Sequence, residues 1–298
     1  MGAGPLPARP KSPRLPRDVA AVEGMAARLG ARSKRDIGME LGLKGKVALV
    51  TGASRGIGRG IAEALADEGC DLVLTGRDEA ALNEVAGAIE KRGRKSAIAV
   101  LDLRTEGTET TLVDTVRRAF GRLDILVNNA GATQRGDFFK LTNADWSDGF
   151  ALKFFAHVRL TREAWPLLKA QGGSMVTIAG IGGKEPEAPF TIGSSVNAAC
   201  VAFTKAMADI GKADGVQVNA INPGRVETER LWRRFRATME ATEQDEASVR
   251  EEYRKEFGIS RFGTVEDIGS LIAFLTSPRG RWLHGAAIDI DGGEVRSV

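Results

Sequence analysis

Short runs of apolar, β-branched residues alternate with longer stretches of helical periodicity from Lys46 to the end of the chain. This alternation is typical of a parallel sheet that is covered by helices on both faces. The predicted strands are Val47–Val50, Asp71–Thr75, Ser96–Leu101, Ile125–Val127, Ser174–Ile178, Val216–Ile221 and Ala287–Ile290. The predicted helices include Gly58–Glu68, Glu79–Lys91, Thr110–Phe120, Ala144–Gln171, Ser194–Gly211 and Val265–Thr276. With right-handed crossovers, seven such strands form a Rossmann-type, doubly wound parallel sheet in a single α/β domain.

The residues before the first strand differ in composition from the rest. Residues 1–42 form a basic extension rich in proline and arginine, whereas residues 43–298 carry the alternating pattern. The extension has no continuous apolar segment of the kind that a secretory signal peptide contains, which argues against such a signal. Its four acidic residues argue against a transit peptide. Three interpretations stay open: a disordered tail, an arginine-rich transit-like peptide, or upstream sequence that is not normally translated, with Met39 as an alternative start. We expect a dispensable tail.

The positive charge of the chain is concentrated at its N-terminal end. The net charge is +3, yet residues 1–44 hold nine Lys and Arg side chains against four Asp and Glu, so the remainder is slightly negative. The basic composition therefore does not predict a nucleic-acid surface on the folded part. No apolar run approaches the roughly 18 residues that a membrane span requires. We expect neither nucleic acid nor a membrane among the partners.

Cysteine usage gives no sign of a metal site. Cys70 and Cys200 are the only cysteines, and neither lies in a cluster of further metal-ligating residues. We expect both to be buried thiols in a reducing compartment, so the predicted location is the cytoplasm. No metal-binding residue is predicted.

A glycine-rich segment, residues 51–58, joins the first predicted strand to the helix that follows. Its three glycines, spaced Gly-x-x-x-Gly-x-Gly, allow a tight turn and let a pyrophosphate approach the backbone N–H groups at the helix N-terminus. At the end of the second strand a carboxylate would favour the ribose hydroxyls of NAD, whereas a guanidinium suits the extra phosphate of NADP. Arg77 stands there and Arg55 lies in the glycine segment, so NADP(H) is preferred. Asp78 keeps NAD(H) as the alternative.

Four motifs in order extend this interpretation: Thr-Gly-x-x-x-Gly-x-Gly at 51–58, Asn-Asn-Ala-Gly at 128–131, Asn-Pro-Gly at 222–224 and Asp-Gly-Gly at 291–293. Together they resemble the short-chain dehydrogenases/reductases over about residues 43–298. The resemblance implies that residues 102–103 contact adenine, that residues 130–131 border a ribose and that Asn128 braces the central strand. It also implies that Pro223, Gly224, Val226 and Thr228 hold the nicotinamide carboxamide. The candidate cofactor-binding residues are Gly52, Ser54, Arg55, Gly56, Ile57, Gly58, Arg77, Asp102, Leu103, Asn129, Ala130, Gly131, Asn197, Pro223, Gly224, Val226 and Thr228.

The residues that usually transfer the proton in this family are absent. Members carry an Asn in the fourth helix, a Ser after the fifth strand and a Tyr-x-x-x-Lys motif in the next helix. By the resemblance, these positions hold Lys153, Gly180, Gly193 and Asn197 in this chain. Tyr253 is the only tyrosine and lies far along the chain, so no small shift of the alignment restores the motif. The family's standard mechanism therefore does not transfer.

Two side chains of the predicted fourth helix are the candidate catalytic residues. Lys153 and His157 are four residues apart and share a helix face. A lysine in a cleft has its pKa lowered by burial, so Lys153 is interpreted either as a proton donor or ribose-binding cation, or as a structural replacement. His157 is interpreted either as a packed histidine or as a catalytic one.

Other polar groups are weaker candidates. Lys184 and Glu185 follow the fifth strand and are interpreted either as cleft residues or as surface charges. Tyr253 would have to close onto the site from residues 226–257. Nearby hydroxyl groups lack a base that would activate them, and they belong to Thr191, Ser194 and Ser195.

Residues 226–257 form a long, charged segment after the sixth strand. Segments at this position often cover the ligand of a doubly wound sheet. Four arginines surround Trp232 and Phe235 within it, namely Arg230, Arg233, Arg234 and Arg236. We interpret the segment either as a substrate lid, with or without selection for a carboxylate or phosphate, or as a solvated helical pair.

Two functions are consistent with this sequence. The first is an NADP(H)-dependent oxidoreductase that moves hydride between nicotinamide and a small-molecule carbonyl or alcohol, with a non-standard proton donor. The alternative is a non-catalytic NADP(H)-binding protein, either a sensor or a partner subunit. We favour the enzyme, because a complete nicotinamide-end site is of little use to a protein that binds only the adenosine end. The resemblance also implies a homodimer or homotetramer.

Overall fold

Seven parallel strands form one sheet in the computed structural model of this protein, which describes residues 40–296. The strand order is β3-β2-β1-β4-β5-β6-β7. The strands are β1 (Val47–Thr51), β2 (Asp71–Gly76), β3 (Ser96–Val100), β4 (Ile125–Asn128), β5 (Ser174–Ile178), β6 (Gln217–Pro223) and β7 (Ala287–Ile290). This topology confirms the predicted Rossmann-type, doubly wound sheet in a single α/β domain, and each strand lies within two residues of its predicted bounds.

Helices connect the strands along the described residues. They are α1 (Gly56–Asp67), α2 (Glu79–Lys91), α3 (Thr108–Phe120), α4 (Asn143–Phe150), α5 (Ala156–Gln171), α6 (Thr191–Asp214), α7 (Glu229–Thr242), α8 (Glu246–Phe257) and α9 (Val265–Thr276). Short 3₁₀ turns lie at Ile181–Gly183, Ala188–Phe190 and Pro278–Gly280. The single helix predicted at Ala144–Gln171 differs in one respect, since a π-helical turn, Ala151–Phe155, joins α4 to α5. Sequence periodicity does not register such a turn, because it widens the helix by only one residue.

The sheet is buried on both faces, as its continuous apolar strands predict. In β1, Ala48 and Val50 belong to a core that includes residues of α1, α2 and α9. The alternate residues Val47 and Leu49 belong to a second core that includes residues of α3, α5 and α6. Because successive side chains of a strand point to opposite faces, one short strand anchors both layers of helices.

The strand order reverses between β1 and β4, which are neighbours although β2 and β3 come between them in sequence. A crevice opens at such a point beyond the carboxyl ends of the strands. The Thr51 hydroxyl at the end of β1 accepts hydrogen bonds from the backbone N–H groups of Asn129 and Ala130, both at 2.9 Å. Asn128, at the end of β4, donates to the Thr161 hydroxyl at 3.1 Å. The two strand ends that border the crevice are therefore tied to each other and to α5.

Residues 226–257, the segment interpreted as a lid, fold largely into the helices α7 and α8. This pair has a small core of its own, formed by Leu231, Phe235, Val249, Ile259 and Phe262. The segment is thus a packed helical pair, and its covering role stays a prediction.

The interpretations of the basic extension concern residues 1–39 almost entirely, and these lie outside the described residues. Among residues 40–296, no helix is long and apolar enough to cross a membrane, and no group of three or more His, Cys, Asp or Glu side chains is arranged to hold a metal ion. Cys70 and Cys200 are both buried free thiols, as predicted.

Candidate active site

A cavity of about 430 Å³ lies at the carboxyl ends of the strands. All seventeen candidate cofactor-binding residues line it, from Gly52 in the glycine segment to Thr228 before α7. The glycine segment has little room for side chains: a Cβ on Gly58 would lie 2.2 Å from the Gly52 carbonyl oxygen. Gly52 itself has φ +64°, which glycine adopts without strain. The backbone here is shaped for close approach of a ligand to the N-terminus of α1.

Arginines surround the end of the cavity beyond β2 and β3. Arg77 lies 3.6 Å from the Asp102 carboxylate, and its side chain is well exposed. Arg104 also pairs with Asp102, and these hydrogen bonds and charges hold the Asp102 pKa below its usual value despite partial burial. Asp78 does not line the cavity, because its carboxylate caps α2 by accepting from the backbone N–H of Ala81 at 3.1 Å.

Lys153 reaches across the other end of the cavity from the π-helical turn. Its ammonium donates to the Ala179 carbonyl at 2.6 Å and to the Asn197 side-chain oxygen at 2.5 Å. Its aliphatic stem lies against Gly131, where an added Cβ would be 2.8 Å from Cδ. Burial lowers the pKa of Lys153 to about 8, and the nearby Arg230 guanidinium acts in the same direction. The side chain is therefore an ammonium close to its point of deprotonation at neutral pH.

Phe190 closes the space beside Gly193. A Cβ on Gly193 would lie 2.0 Å from the Phe190 ring, so the ring occupies the volume that a side chain at 193 would need. Arg135 stacks on the same ring, with its guanidinium carbon 4.3 Å from the ring centroid. Gly180 has φ +137°, a conformation that other residues rarely adopt, and faces Asn197. Neither Gly180 nor Gly193 can therefore carry a polar side chain without local rearrangement.

His157 lies behind the cavity wall and does not line it. Its side chain is almost fully buried, and Nε2 is 2.9 Å from the Ala130 carbonyl oxygen. Burial lowers the pKa of His157 to about 4, so the imidazole is neutral at pH 7 and donates to that carbonyl. Cys200 lies on its other side, with Sγ 4.0 Å from Nδ1. This environment is that of a packed histidine which supports the Asn128–Gly131 segment.

Comparison with known proteins assigns the family. Residues 52–294 match the family model described as Enoyl-(Acyl carrier protein) reductase. The chain belongs to the short-chain dehydrogenase/reductase family. This membership confirms the resemblance drawn from its four motifs, and the relatives it matches are oxidoreductases, which supports an enzyme.

Relatives and solved structures cover this short-chain dehydrogenase/reductase almost completely. A 3-oxoacyl-(acyl-carrier-protein) reductase of Aquifex aeolicus is 30% identical over 260 residues, which is 86% of this chain and 99% of the relative. The L-sorbose reductase of Gluconobacter frateurii, solved with NADPH and L-sorbose, is 32% identical with a TM-score of 0.84, and the match covers 87% of this chain and 100% of that one. A 7α-hydroxysteroid dehydrogenase solved with NADH is 28% identical with a TM-score of 0.78, covering 87% and 97%. A nicotinamide cofactor is therefore common to the two solved structures, while its phosphorylation state differs between them.

The remaining sequence candidates of this short-chain dehydrogenase/reductase lie away from the cavity lining. Lys184 pairs with Asp289 at 2.7 Å, and Glu185 is exposed. The Tyr253 hydroxyl lies 2.9 Å from that of Thr238, within the α7–α8 pair. The nearby hydroxyl residues do not line the cavity either; they are Thr191, Ser194 and Ser195.

Sequence reasoning missed an ionic network along the cavity wall. Glu187 pairs with Arg135 and, at 2.9 Å, with Arg225, which also reaches Glu294. These residues come from four separate loops, so no sequence spacing links them. Phe190 was missed as well, although its place three residues before Gly193 was a usable signal, because a large side chain beside an unexpected glycine suggests compensation of volume.

Proposed function

We propose that this protein is an NADP(H)-dependent reductase or dehydrogenase in which Lys153 donates or accepts the proton at the oxygen of a small carbonyl or alcohol substrate. The nicotinamide, when bound, supplies or accepts the hydride at C4. The observation that supports this most directly is the position of the Lys153 ammonium in the wall of the cavity, held by two oxygens and close to its point of deprotonation. General acid catalysis is most effective when the pKa of the donor lies near the working pH.

The residues of the cavity fit a phosphorylated dinucleotide. The glycine segment leaves the N-terminus of α1 open, and Arg55 occupies the N-cap position without a side-chain cap hydrogen bond. Unpaired N–H groups and the helix dipole favour an anion there. Arg55 and Arg77 both line the cavity, whereas Asp78 is engaged at the start of α2. This distribution favours NADP(H) over NAD(H).

Cofactor preference is measured by titrating the protein with NADPH and with NADH and following nicotinamide fluorescence. We expect NADPH to bind at least about tenfold more tightly, since charge-assisted hydrogen bonds to a phosphate contribute about 1.5–3 kcal/mol. Arg77→Ala should remove most of this difference and leave NADH binding nearly unchanged. Equal affinities for both cofactors in the unaltered protein would contradict the proposed preference.

The hydrogen bonds of Lys153 suit it to both directions of the reaction. Two of its N–H groups donate to Ala179 and Asn197, and the third has no hydrogen-bond acceptor among the described residues. During reduction, the third N–H passes its proton to the developing alkoxide and leaves a neutral amine. During oxidation, the lone pair of that amine takes the proton of the substrate hydroxyl. Asn197 and Ala179 orient the nitrogen in both states.

The decisive experiment compares Lys153→Met with the unaltered protein in NADPH oxidation by a panel of small ketones and aldehydes. We expect kcat to fall by about 10²- to 10⁴-fold, the usual contribution of a general acid, while NADPH affinity changes little. Lys184→Met is the matched control, since Lys184 pairs with Asp289 away from the cavity lining. An unchanged kcat in Lys153→Met would rule out this proton donor.

The pH profile gives an independent test of Lys153. Reduction needs the ammonium, which predominates below its pKa of about 8. We therefore expect kcat for reduction to be level below pH 8 and to fall about tenfold per pH unit above it, whereas kcat for oxidation rises through the same range. Lys153→Arg should remove this inflection, because arginine does not titrate there.

A non-catalytic NADP(H)-binding protein is the second candidate function. The observation that favours it is the closure of positions 180 and 193, where the backbone and the Phe190 ring leave no room for the usual hydroxyl groups. Tight NADPH binding without turnover of any carbonyl in the panel, together with an indifferent Lys153→Met variant, would support this alternative over the enzyme.

Self-association and location are further proposals. We expect a homodimer or homotetramer through the α4–α5 and α6 helices, where Phe155 and Ile210 are about half exposed despite their size. Light scattering coupled to gel filtration measures the mass, and a monomer at micromolar concentration would contradict this expectation. A cytoplasmic location is proposed on the basis of the two free thiols.

A further inference from the structure

The lining of the cavity carries more positive than negative side chains. Of the residues that line it, nine carry a positive side chain and three a carboxylate. Arg55 and Arg77 lie near the predicted phosphate positions of the cofactor. Arg230 and Arg233 lie on α7, and Arg230 donates to the carbonyl of Gly131, against which the aliphatic stem of Lys153 also packs. Arg230 is therefore a neighbour of Lys153, the proposed proton donor.

Arg230 lies among like charges. Partial burial lowers its pKa, and the guanidinium groups of Arg233, Arg55 and Arg135 lower it further. Its only hydrogen bond within residues 40–296 is a donation to the Gly131 carbonyl at 3.2 Å. Neither Arg230 nor Arg233 forms an ion pair with a carboxylate in that part of the chain. Grouped cations without a carboxylate repel one another unless an anion joins them.

The neighbouring arginines of the same segment show that this is not a general property of the α7–α8 pair. On α7, Arg236 pairs with Glu229. On α8, Arg250 pairs with Glu227 and Arg254 pairs with Glu251. Arg234 lies over the Tyr253 ring, 5.6 Å from its centroid. Unpaired guanidinium groups are thus confined to the side of α7 that lines the cavity.

We propose that Arg230 and Arg233 bind an anionic group of the substrate, a carboxylate or a phosphate, and so select carbonyl compounds that carry one. This inference rests on the proposed function, since it names the substrate class of the same cavity. A guanidinium group matches both anions in a bidentate geometry. Because Arg230 and Lys153 both contact Gly131, an anion held by Arg230 would place the rest of a small substrate beside the proton donor.

The test uses pairs of carbonyl compounds that differ in charge alone: dihydroxyacetone phosphate against dihydroxyacetone, and 4-oxopentanoate against its methyl ester. Each is titrated into the protein–NADPH complex, with nicotinamide fluorescence as the readout, and KM is measured where turnover occurs. We expect the charged member of at least one pair to bind about 10- to 100-fold more tightly. Arg230→Gln and Arg233→Gln should each reduce this ratio about tenfold or more and leave the affinity for NADPH within about twofold. Arg236→Gln, on the same helix but paired with Glu229, is the matched control.

The outcomes separate this proposal from the proposed function. Equal binding of charged and neutral members overturns it. A loss of NADPH affinity in Arg230→Gln, without any change in the ratio, also overturns it and assigns the arginine to the cofactor pyrophosphate. If no carbonyl turns over but the anionic members still bind more tightly through Arg230, the anion site stands and the reductase proposal fails.

Discussion

The two ends of the cavity differ in what limits their sequence: the backbone at one end and side-chain packing at the other. At the glycine segment the constraint is on the backbone: Gly52 has a positive φ and Gly58 has no space for a Cβ. At the Lys153 end the constraint is on side chains that compensate one another, since Lys153 meets Asn197 and Phe190 fills the space beside Gly193. A backbone site tolerates almost no substitution. A side-chain site tolerates several changes, provided that they occur together.

The most severe disruption is expected from Gly58→Ala. A Cβ there would meet the Gly52 carbonyl at 2.2 Å, so the glycine turn has to open. We expect a loss of about 3 kcal/mol in the free energy of unfolding and a large loss of NADPH affinity, measured by denaturant unfolding and by fluorescence titration. Gly87→Ala is the control, because a Cβ at that position in α2 meets nothing within 4 Å. It should gain up to about 1 kcal/mol from helix propensity. Normal NADPH binding by Gly58→Ala would refute the backbone constraint.

Restoring a tyrosine at position 193 tests the compensation by Phe190. Gly193→Tyr alone should lower the free energy of unfolding by about 2–3 kcal/mol, because the new Cβ overlaps the Phe190 ring. Adding Phe190→Ala should recover at least half of that loss. Denaturant unfolding of the three variants measures both effects. If Phe190→Ala gives no recovery, the two positions do not share one volume.

The Lys153–Asn197 contact is tested by exchanging the two residues. Lys153→Asn removes the donor to Asn197 and Ala179, whereas Asn197→Lys brings a second cation next to Lys153. Each single variant should be destabilised. The double variant should be more stable than the sum of the two predicts, with a coupling free energy of about 1–3 kcal/mol. Additive effects in this double-mutant cycle would show that the residues act independently.

His157 lies behind the cavity wall, between Ala130 and Cys200, and its contribution to stability depends on pH. The pKa is about 4 in the folded protein against an ordinary value of 6.5, so the unfolded chain binds more protons between these values. The contribution of His157 to the free energy of unfolding is therefore fully present above pH 6.5 and is lost as the pH drops toward 4. The loss is about 2 kcal/mol between pH 7 and pH 5. Urea unfolding at both pH values measures the change. His157→Gln should flatten this dependence, and an equally steep dependence in the variant would exclude His157 as its source.

Most of the fold was predictable from local pattern. The seven strands follow from β-branched runs, and the glycine segment follows from the spacing of residues 51–58. The cavity lining was predictable too, since the four motifs end strands that a parallel sheet brings to one edge. The packed state of His157 required coordinates, because its neighbours Ala130 and Cys200 are distant in sequence. Phe190 is close to Gly193 in sequence, yet the overlap of its ring with position 193 depends on the path of the loop before α6, which the sequence pattern does not give.

The sequence alone determined the α/β class, the strand positions and the need for glycine at the nucleotide loop, because periodicity and backbone freedom are local properties. It also predicted that the usual proton-transfer residues are absent. Only the tertiary structure decided that Lys153 reaches Asn197, which lies 44 residues further along the chain, and that the unpaired arginines of α7 face the cavity. Such pairings depend on how the layers of helices pack on the sheet, and no spacing within one helix encodes them.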